Sequence, residues 1–270
     1  MSEHTGVSEH PGVVVRAAED HPHVAELVLD RPEALNAVST RQARSIAAAC
    51  ADLAGAADVR AVVLSSSAER AFCVGADLKE RNTLTDADLV RQRPVARAAY
   101  RGVLDLPVPT IAAVHGFALG GGFELALACD LIVADETAVL GLPEVTVGVV
   151  PGGGGTQLLA RRVGWSRAAD LVFTGRRVDA AESERLGVVD RRVPAGAART
   201  VALELAATIA ANSPVGVRNA KRAMRLGLDA DLATGLEVED ACWRATAFSG
   251  DRAEGVAAFN ERRRPDWPGE

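Results

Sequence analysis

The chain has 270 residues, of which 48% are hydrophobic and 24% are charged, proportions typical of a soluble globular protein. Its formal net charge is -6, whereas a general nucleic-acid binder usually carries a basic surplus. The four cysteines form no C-x-x-C pair, and no two histidines have metal-ligand spacing. We therefore expect buried reduced thiols and no structural zinc site.

The N-terminus and the most apolar stretch do not resemble membrane segments. Residues 1–4 are polar and lack the basic and apolar regions of a secretory signal peptide. Residues 111–134 are the most apolar part of the chain, but they contain His115, Glu124 and Asp130. We therefore expect a cytoplasmic protein that does not insert into a membrane.

The first part of the chain predicts a tail, a hairpin and an amphipathic helix. Residues 1–11 are expected to form a disordered tail. Turn-forming residues separate the β-rich runs 13–16 and 24–29, which favours a hairpin. Ser39 or Thr40 can cap a helix with apolar residues at spacings of three and four. These apolar residues are Ala43, Ile46, Cys50 and Leu53.

The rest of the chain changes character near residue 195. Short apolar runs that suit buried strands lie at 61–64, 110–114 and 131–133. Helical stretches separate these runs, which indicates a mixed α/β architecture. Only helical patterns follow residue 195, near 201–209, after the Ser213-Pro214 cap, and near 230–247 and 250–262. The sequence thus predicts an α/β core over 12–195 and a C-terminal helical part over 196–270.

Residues 71–80 form the first segment that can carry chemistry. The small residues at 74–76 let a ligand approach the backbone closely, and Asp77 can cap a following helix. Free amides at such a turn can donate to an anion or to a polarised carbonyl group. When this segment is taken alone, an ordinary strand-to-helix turn is the better explanation, since short glycine turns are common.

Residues 115–130 form the second segment. Gly120, Gly121 and Gly122 precede an apolar helix that carries one acid, Glu124. A carboxyl group among such apolar residues is either desolvated, with a raised pKa, or faces a cavity. The alternative is a first-turn glutamate that only complements the helix dipole.

Residues 141–157 form the third segment. Glu144 follows Pro143 and is flanked by apolar residues, although proline followed by glutamate is also a common helix start. The glycine run at 152–155 lacks the Gly-Lys-Ser/Thr ending of a P-loop, which argues against a nucleoside triphosphatase. No Gly-x-Ser-x-Gly elbow is present, so a nucleophilic triad is not supported.

Together these segments suggest an oxyanion hole built from two turns, beside an acid–base pair of two glutamates. At these residues the chain resembles the crotonase superfamily, the enoyl-CoA hydratase/isomerase family. The resemblance extends from residues 31–37 to residues 251–255 and Phe259. Three runs are most similar to the methylglutaconyl-CoA hydratase branch, at 73–81, 106–110 and 231–236.

The resemblance implies a fold and a reaction. The fold is an α/β spiral core of repeated ββα units with a C-terminal helical part that forms trimers, often paired into hexamers. The reaction is the addition of water to a 2-enoyl-CoA thioester, without metal or redox cofactor, since coenzyme A is part of the substrate. The oxyanion hole comes from the amides of Val74 and Gly121, and the catalytic residues are Glu124 and Glu144. Which of these two glutamates is protonated in the resting enzyme is left open.

The resemblance also implies substrate contacts. Those to the thioester come from Ala34, Leu35, Ala76, Asp77, Leu78, Gly120, Pro143 and Gly152. Candidates for the CoA phosphates are Lys79 and, from this or a neighbouring subunit, Arg262 and Arg263. The acyl pocket is expected to use residues 82–103. The chain departs from the family at Val74, where many hydratases have alanine, and at Leu158, where arginine is frequent.

Alternative functions remain open at the level of sequence. The same oxyanion hole serves double-bond isomerases and CoA-ester hydrolases of this superfamily. A more distant alternative is a non-catalytic RNA-binding protein, but the helix near 40–55 offers only Arg41 and Arg44 as cations. An inactive relative is disfavoured because both glutamates are present. The pathway is also open, among fatty-acid oxidation, leucine breakdown and secondary metabolism.

Overall fold

The computed structural model describes residues 8–270. Its strands are β1 (Ser8–His10), β2 (Val13–Ala17), β3 (Val24–Leu29), β4 (Ala61–Ser66), β5 (Ala71–Cys73), β6 (Thr110–Val114), β7 (Phe117–Leu119), β8 (Leu131–Asp135), β9 (Val139–Gly141), β10 (Arg177–Asp179) and β11 (Arg191–Val193). Its first α-helices are α1 (Thr40–Gly55), α2 (Leu78–Arg81), α3 (Asp86–Leu104), α4 (Gly121–Ala128), α5 (Gly155–Val163) and α6 (Trp165–Thr174). The later ones are α7 (Ala180–Leu186), α8 (Ala198–Ala210), α9 (Pro214–Leu228), α10 (Leu232–Ala247) and α11 (Gly250–Glu261). Two 3-10 helices lie at Pro32–Ala34 and Pro143–Val147.

Two sheets run through the molecule. The larger has the order β1-β2-β3-β4-β6-β8-β11, antiparallel up to β3 and parallel from β3 onward. The smaller has the order β10-β9-β7-β5, with β9, β7 and β5 parallel. The pairs β4-β5, β6-β7 and β8-β9 each place one strand in each sheet before the chain turns into helices. This repetition is the ββα spiral, so the predicted fold class is confirmed.

The central strands are buried on both faces, which explains their continuous apolar runs. In β4, Val62 and Leu64 pack into the main core, which also contains Phe72 and Phe123. Ala61 and Val63 point the other way and pack into a second core beneath α8. Because side chains alternate along a strand, one apolar run serves both cores.

Local signals place several elements where the sequence predicts them. The hairpin of β2 and β3 is antiparallel, with Val13 opposite Leu29. Ser39 caps α1 by accepting a hydrogen bond from the Gln42 amide. Ser213 caps α9 in the same way, with Pro214 as its first helical residue. The four predicted apolar positions of α1 are all buried, and so are the four cysteines, which are free.

Part of the predicted tail is ordered. The expectation of a disordered tail was therefore wrong for residues 8–10. They form β1, which pairs antiparallel with β2 and places Ser8 opposite Val15. Backbone pairing to an existing hairpin edge stabilises a strand whatever its side-chain polarity, so composition alone misses it. Residues 1–7 lie outside the described part of the chain.

The last strand of the described chain ends at Val193, and four helices follow. α8 lies on the outer face of the larger sheet, while α9 and α10 pack against each other. Within residues 8–270 no single helix is long and apolar enough to cross a membrane. Only α8 and α9 taken together reach that length and apolarity, and they are bent by 107°.

Candidate active site

The turn after β5 meets the start of α4. Gly75 has a positive φ of 92°, which favours glycine. A Cβ on Gly75 would lie 2.8 Å from the Leu119 carbonyl oxygen and 3.1 Å from the Gly121 nitrogen. The turn that carries the Val74 amide is therefore packed directly against the backbone that carries the Gly121 amide.

The two predicted oxyanion donors differ in whether they already donate a hydrogen bond within the protein. The Val74 amide donates a hydrogen bond of 3.2 Å to the Leu35 carbonyl oxygen. The Gly121 amide, at the first position of α4, has no acceptor among residues 8–270, as expected for the first amides of a helix. Gly121 thus offers a free donor, whereas Val74 must share or release its contact with Leu35 to bind a thioester oxygen.

Glu124 lies in the first turn of α4 and is 2% exposed. Its Oε1 accepts hydrogen bonds from the amides of Gly153 at 2.7 Å and Gly155 at 2.8 Å. Burial raises the pKa of Glu124, and these two amide donors act against that rise because they favour the ionised form.

Glu144 lies on the 3-10 helix Pro143–Val147 and approaches the other side of the same turn. A Cβ on Gly120 would lie 2.9 Å from its Oε1. Its Oε2 is buried and has no hydrogen-bond partner among the described residues. Burial raises the pKa of Glu144 to about 7, and the nearby charge of Glu124 adds to the rise. Its own backbone amide and the charge of Arg81 act against this rise, but the pKa stays raised.

The glycine run 152–155 binds a carboxylate of the chain itself. Two of its amides hold Glu124, and the run leads directly into α5. The run lacks the ending of a P-loop, as the sequence shows, but its carboxylate-binding role was not predicted. The available signal was that successive glycines can present several free N–H groups to an anion, and Glu124 is the isolated acid nearby.

Tyr100 is a second residue that the sequence analysis did not single out, although it lies in the segment 82–103 expected to line the acyl pocket. It is the only tyrosine of the chain and is 8% exposed. A Cβ on Gly121 would lie 2.3 Å from its hydroxyl oxygen, and a Cβ on Gly153 would lie 2.7 Å from its ring. Burial raises the pKa of Tyr100, so its hydroxyl stays neutral at the wall of the site.

The predicted thioester contacts surround this turn. Ala34 and Leu35 close the first 3-10 helix, and Ala76 bridges to Val38. Asp77 caps α2 through the amides of Lys79 and Glu80 and accepts from Arg31 Nη1 at 2.7 Å. Asp77 is thus already bound within the chain. Other predicted contacts sit at Gly120, Pro143 and Gly152, described with the two glutamates and the glycine run.

The predicted phosphate contacts fall into two groups. Lys79 is exposed at the start of α2, beside the Val74 turn and next to Leu78, a predicted thioester contact that is also exposed. Arg262 and Arg263 follow α11, which packs against α9 and α10. Arg263 pairs with Glu254 at 2.5 Å and Glu261 at 2.6 Å. Lys79 is therefore the cation of this set that lies next to the site within one chain.

Two backbone donors, two carboxyl groups and a wall of glycine and tyrosine thus meet at one place on a ββα spiral. This arrangement defines an enzyme that polarises a carbonyl group and moves protons beside it. Residues 19–270 match the family Enoyl-CoA hydratase/isomerase, and the chain belongs to this family.

Individual relatives and a solved structure support this family membership. The chain is 43% identical to YngF of Bacillus subtilis, provisionally named an enoyl-CoA hydratase/isomerase, over 92% of this chain and 95% of YngF. It is 39% identical to the mitochondrial methylglutaconyl-CoA hydratase of Homo sapiens, over 93% of this chain and 76% of that protein. The crystal structure of an enoyl-CoA hydratase from Bacillus anthracis has a TM-score of 0.93 and 40% identity, covering 96% of this chain and 100% of that one. The predicted crotonase resemblance is confirmed.

Proposed function

We propose that this protein is a 2-enoyl-CoA hydratase in which Glu124 is the base and Glu144 is the acid. The substrate is an acyl-CoA thioester with a double bond between its α- and β-carbons. The product is the corresponding 3-hydroxyacyl-CoA.

The oxyanion hole polarises the thioester. Its carbonyl oxygen accepts hydrogen bonds from the Gly121 amide and from the Val74 amide, which turns away from Leu35. As water attacks the β-carbon, the double-bond electrons move toward this oxygen, and the two donors stabilise the enolate-like charge. Loss of one such donor typically costs on the order of 10²–10³ in rate.

The two glutamates divide the proton transfers. Ionised Glu124 takes a proton from the attacking water through Oε2, because its Oε1 is held by the glycine run. Neutral Glu144 gives its proton to the α-carbon as the enolate collapses. The pair ends with the protonation states exchanged, and proton exchange with solvent restores them.

One juxtaposition carries the proposal. Glu144 Oε1 reaches the glycine that precedes Gly121, and Glu124 lies three residues after Gly121 on the same helix. A base, an acid and a free backbone donor are therefore within reach of one small acyl group. Burial raises the pKa of both carboxyl groups, but only Glu124 also accepts two hydrogen bonds from the glycine run, which favour its ionised form and support its role as the base.

The test is product analysis in H2(18)O with crotonyl-CoA. Hydration predicts 3-hydroxybutyryl-CoA that carries one 18O atom in the acyl part and releases no free coenzyme A. A shifted double bond without 18O would indicate an isomerase, and free coenzyme A would indicate a thioester hydrolase. Either of these as the main product would refute the hydratase proposal.

We also propose that the reaction needs no metal or redox cofactor, since hydrogen bonds and proton transfers account for it. Lys79 contacts the CoA phosphates, and Arg262 or Arg263 of a neighbouring subunit adds to them. Activity that survives dialysis against EDTA is the expected result, and activity restored only by added metal would contradict it.

We propose further that the protein forms trimers, which pair into hexamers, through its C-terminal helices. The groove between α9 and α10 is apolar and open. Its exposed side chains are Met224, Leu228, Leu232, Leu236 and Trp243. Apolar patches of this kind usually mark association sites. Sedimentation equilibrium should give three or six times the 28.1 kDa chain mass, and a monomer would refute the proposal.

A further inference from the structure

One peptide group lies between a cation and the carboxyl group of Glu124. Arg93 Nη2 donates to the Gly152 carbonyl oxygen at 2.7 Å. The N–H of Gly153 belongs to the same peptide group and donates to Glu124 Oε1 at 2.7 Å. Because hydrogen bonds in a chain polarise one another, a cation on the carbonyl oxygen makes the N–H a stronger donor.

The groups in this series of contacts are closely packed. A Cβ on Gly152 would lie 2.8 Å from Arg93 Nη1. A Cβ on Gly153 would lie 2.8 Å from Glu124 Oε2. The Arg93 guanidinium thus contacts the glycine loop, and the loop contacts the carboxyl group of Glu124. We therefore expect a displacement of Arg93 to shift the loop and the carboxyl group with it.

Arg93 carries a charge that no carboxylate within the described part of the chain neutralises by an ion pair. Within residues 8–270 it pairs with no carboxylate, whereas Arg91 on the same helix binds Asp88. Burial raises the pKa of Glu124, and the charge of Arg93 acts against that rise together with the amides of the loop. The other charged or titratable groups around the two glutamates are Cys73, Arg81 and Tyr100.

We propose that Arg93 is a positioning residue that fixes the loop 151–155 and, through the peptide group between Gly152 and Gly153, keeps Glu124 ionised and correctly oriented. Arg93 does not touch the reacting atoms. The inference rests on the proposed hydratase function, in which Glu124 is the base. It assigns a catalytic consequence to an exposed arginine on α3, 31 residues before Glu124 in the sequence.

The experiment compares Arg93→Gln, Arg93→Lys and the control Arg185→Gln through the pH profile of kcat/KM for enoyl-CoA hydration. Arg185 is an exposed arginine of α7 that pairs with Glu182 and lies outside the segment expected to line the acyl pocket. Activity falls on the acid side as Glu124 becomes protonated. Removing a neighbouring cation favours the protonated form, so Arg93→Gln should move this limb to higher pH. The loss on that limb should be on the order of tenfold, the effect of about one pH unit. Arg93→Lys should retain most of the activity, and Arg185→Gln should match the wild type.

A second readout does not depend on turnover. An infrared titration follows the protonated carboxyl band that disappears in Glu124→Gln, and this band should titrate at higher pH in Arg93→Gln than in the wild type. An unchanged band, or Arg93→Gln and Arg93→Lys equally impaired at every pH, would overturn the role of Arg93. If the wild type hydrates no enoyl-CoA, the hydratase proposal fails, and the infrared titration still decides the effect of Arg93 on Glu124.

Discussion

At the scale of single residues, the contrast between Glu124 and Glu144 comes from their hydrogen-bond partners. Glu124 accepts two backbone amides on one oxygen, whereas the buried oxygen of Glu144 has none among the described residues. Burial acts on both and raises both pKa values. Two amides of the glycine run act against this rise at Glu124, whereas at Glu144 only its own amide and the charge of Arg81 do so. In the proposed mechanism the glycine run therefore favours Glu124 as the base.

This contrast predicts a pH-dependent effect of Glu144→Gln on stability. The pKa of Glu144 is about 7 in the folded protein and 4.5 ordinarily, so its favourable contribution is complete below 4.5 and is lost as pH rises through 7. Glutamine cannot ionise, so the variant should gain stability relative to wild type between pH 5 and pH 8. The gain should be on the order of 1 kcal/mol, since solvent at the pocket screens part of the shift.

Thermal unfolding at the two pH values measures this difference. The exposed Glu19, changed to glutamine, is the matched control and should alter stability equally at both. A stability difference for Glu144→Gln that does not change with pH would contradict the raised pKa.

At the scale of elements, the start of α4 depends on close contact between backbones. A Cβ on Gly122 would lie 2.0 Å from the Cys73 carbonyl oxygen, which belongs to β5 and cannot rotate away. Gly122 therefore permits the contact that brings the Val74 turn beside the Gly121 amide. The geometry of the proposed oxyanion hole is in this sense a consequence of how one helix meets one short strand.

Replacement of Gly122 by alanine should accordingly cost more than about 2 kcal/mol or prevent folding, because backbone must move. Gly55→Ala at the end of α1 is the matched control. Its Cβ would meet nothing within 4 Å, so it should be neutral or stabilise by up to about 1 kcal/mol. Chemical denaturation compares the two, and a stable Gly122→Ala protein with full activity would contradict this account of the turn.

The long elements were predictable from sequence, and the short ones were not. Apolar periodicity and caps indicate α1, α9 and the central strands β4, β6 and β8. The three-residue strands β5, β7 and β9 are too short to show alternation, and their pairing is set by the repeated crossover. In the site, both glutamates and the glycine turns stand out in the sequence. Tyr100 and Arg93 do not, because their positions depend on the packing of α3 against α4.

At the scale of the whole molecule, one partly buried charge cluster connects the C-terminal helices to the sheets. Asp130, just before β8, accepts from Lys221 at 2.7 Å and from Arg225 at 2.8 Å, both on α9. Burial alone would raise the pKa of Asp130, but Lys221 and Arg225 outweigh it and the net shift is downward. The helices that carry the proposed trimer surface are therefore anchored to the same strands that position the site.

The substitution Asp130→Asn should destabilise the protein by on the order of 2 kcal/mol, because it leaves Lys221 charged, largely buried and without its carboxylate, while the partial exposure of Asp130 reduces the penalty. Asp229→Asn removes an exposed pair with Arg161 and should cost less than about 1 kcal/mol. Urea unfolding of both variants measures the difference. Equal effects of the two would mean that the charge cluster does not anchor the helices.

The measurement that tests the central claim most directly is loss of the 2-enoyl absorbance with crotonyl-CoA and 3-methylglutaconyl-CoA. It is made for the wild type, Glu124→Gln and Glu144→Gln. The account predicts that the wild type hydrates at least one substrate and that each variant loses roughly 10²–10⁴ of that rate. A variant that lacks one carboxyl group and still hydrates at the wild-type rate would contradict the two-glutamate mechanism.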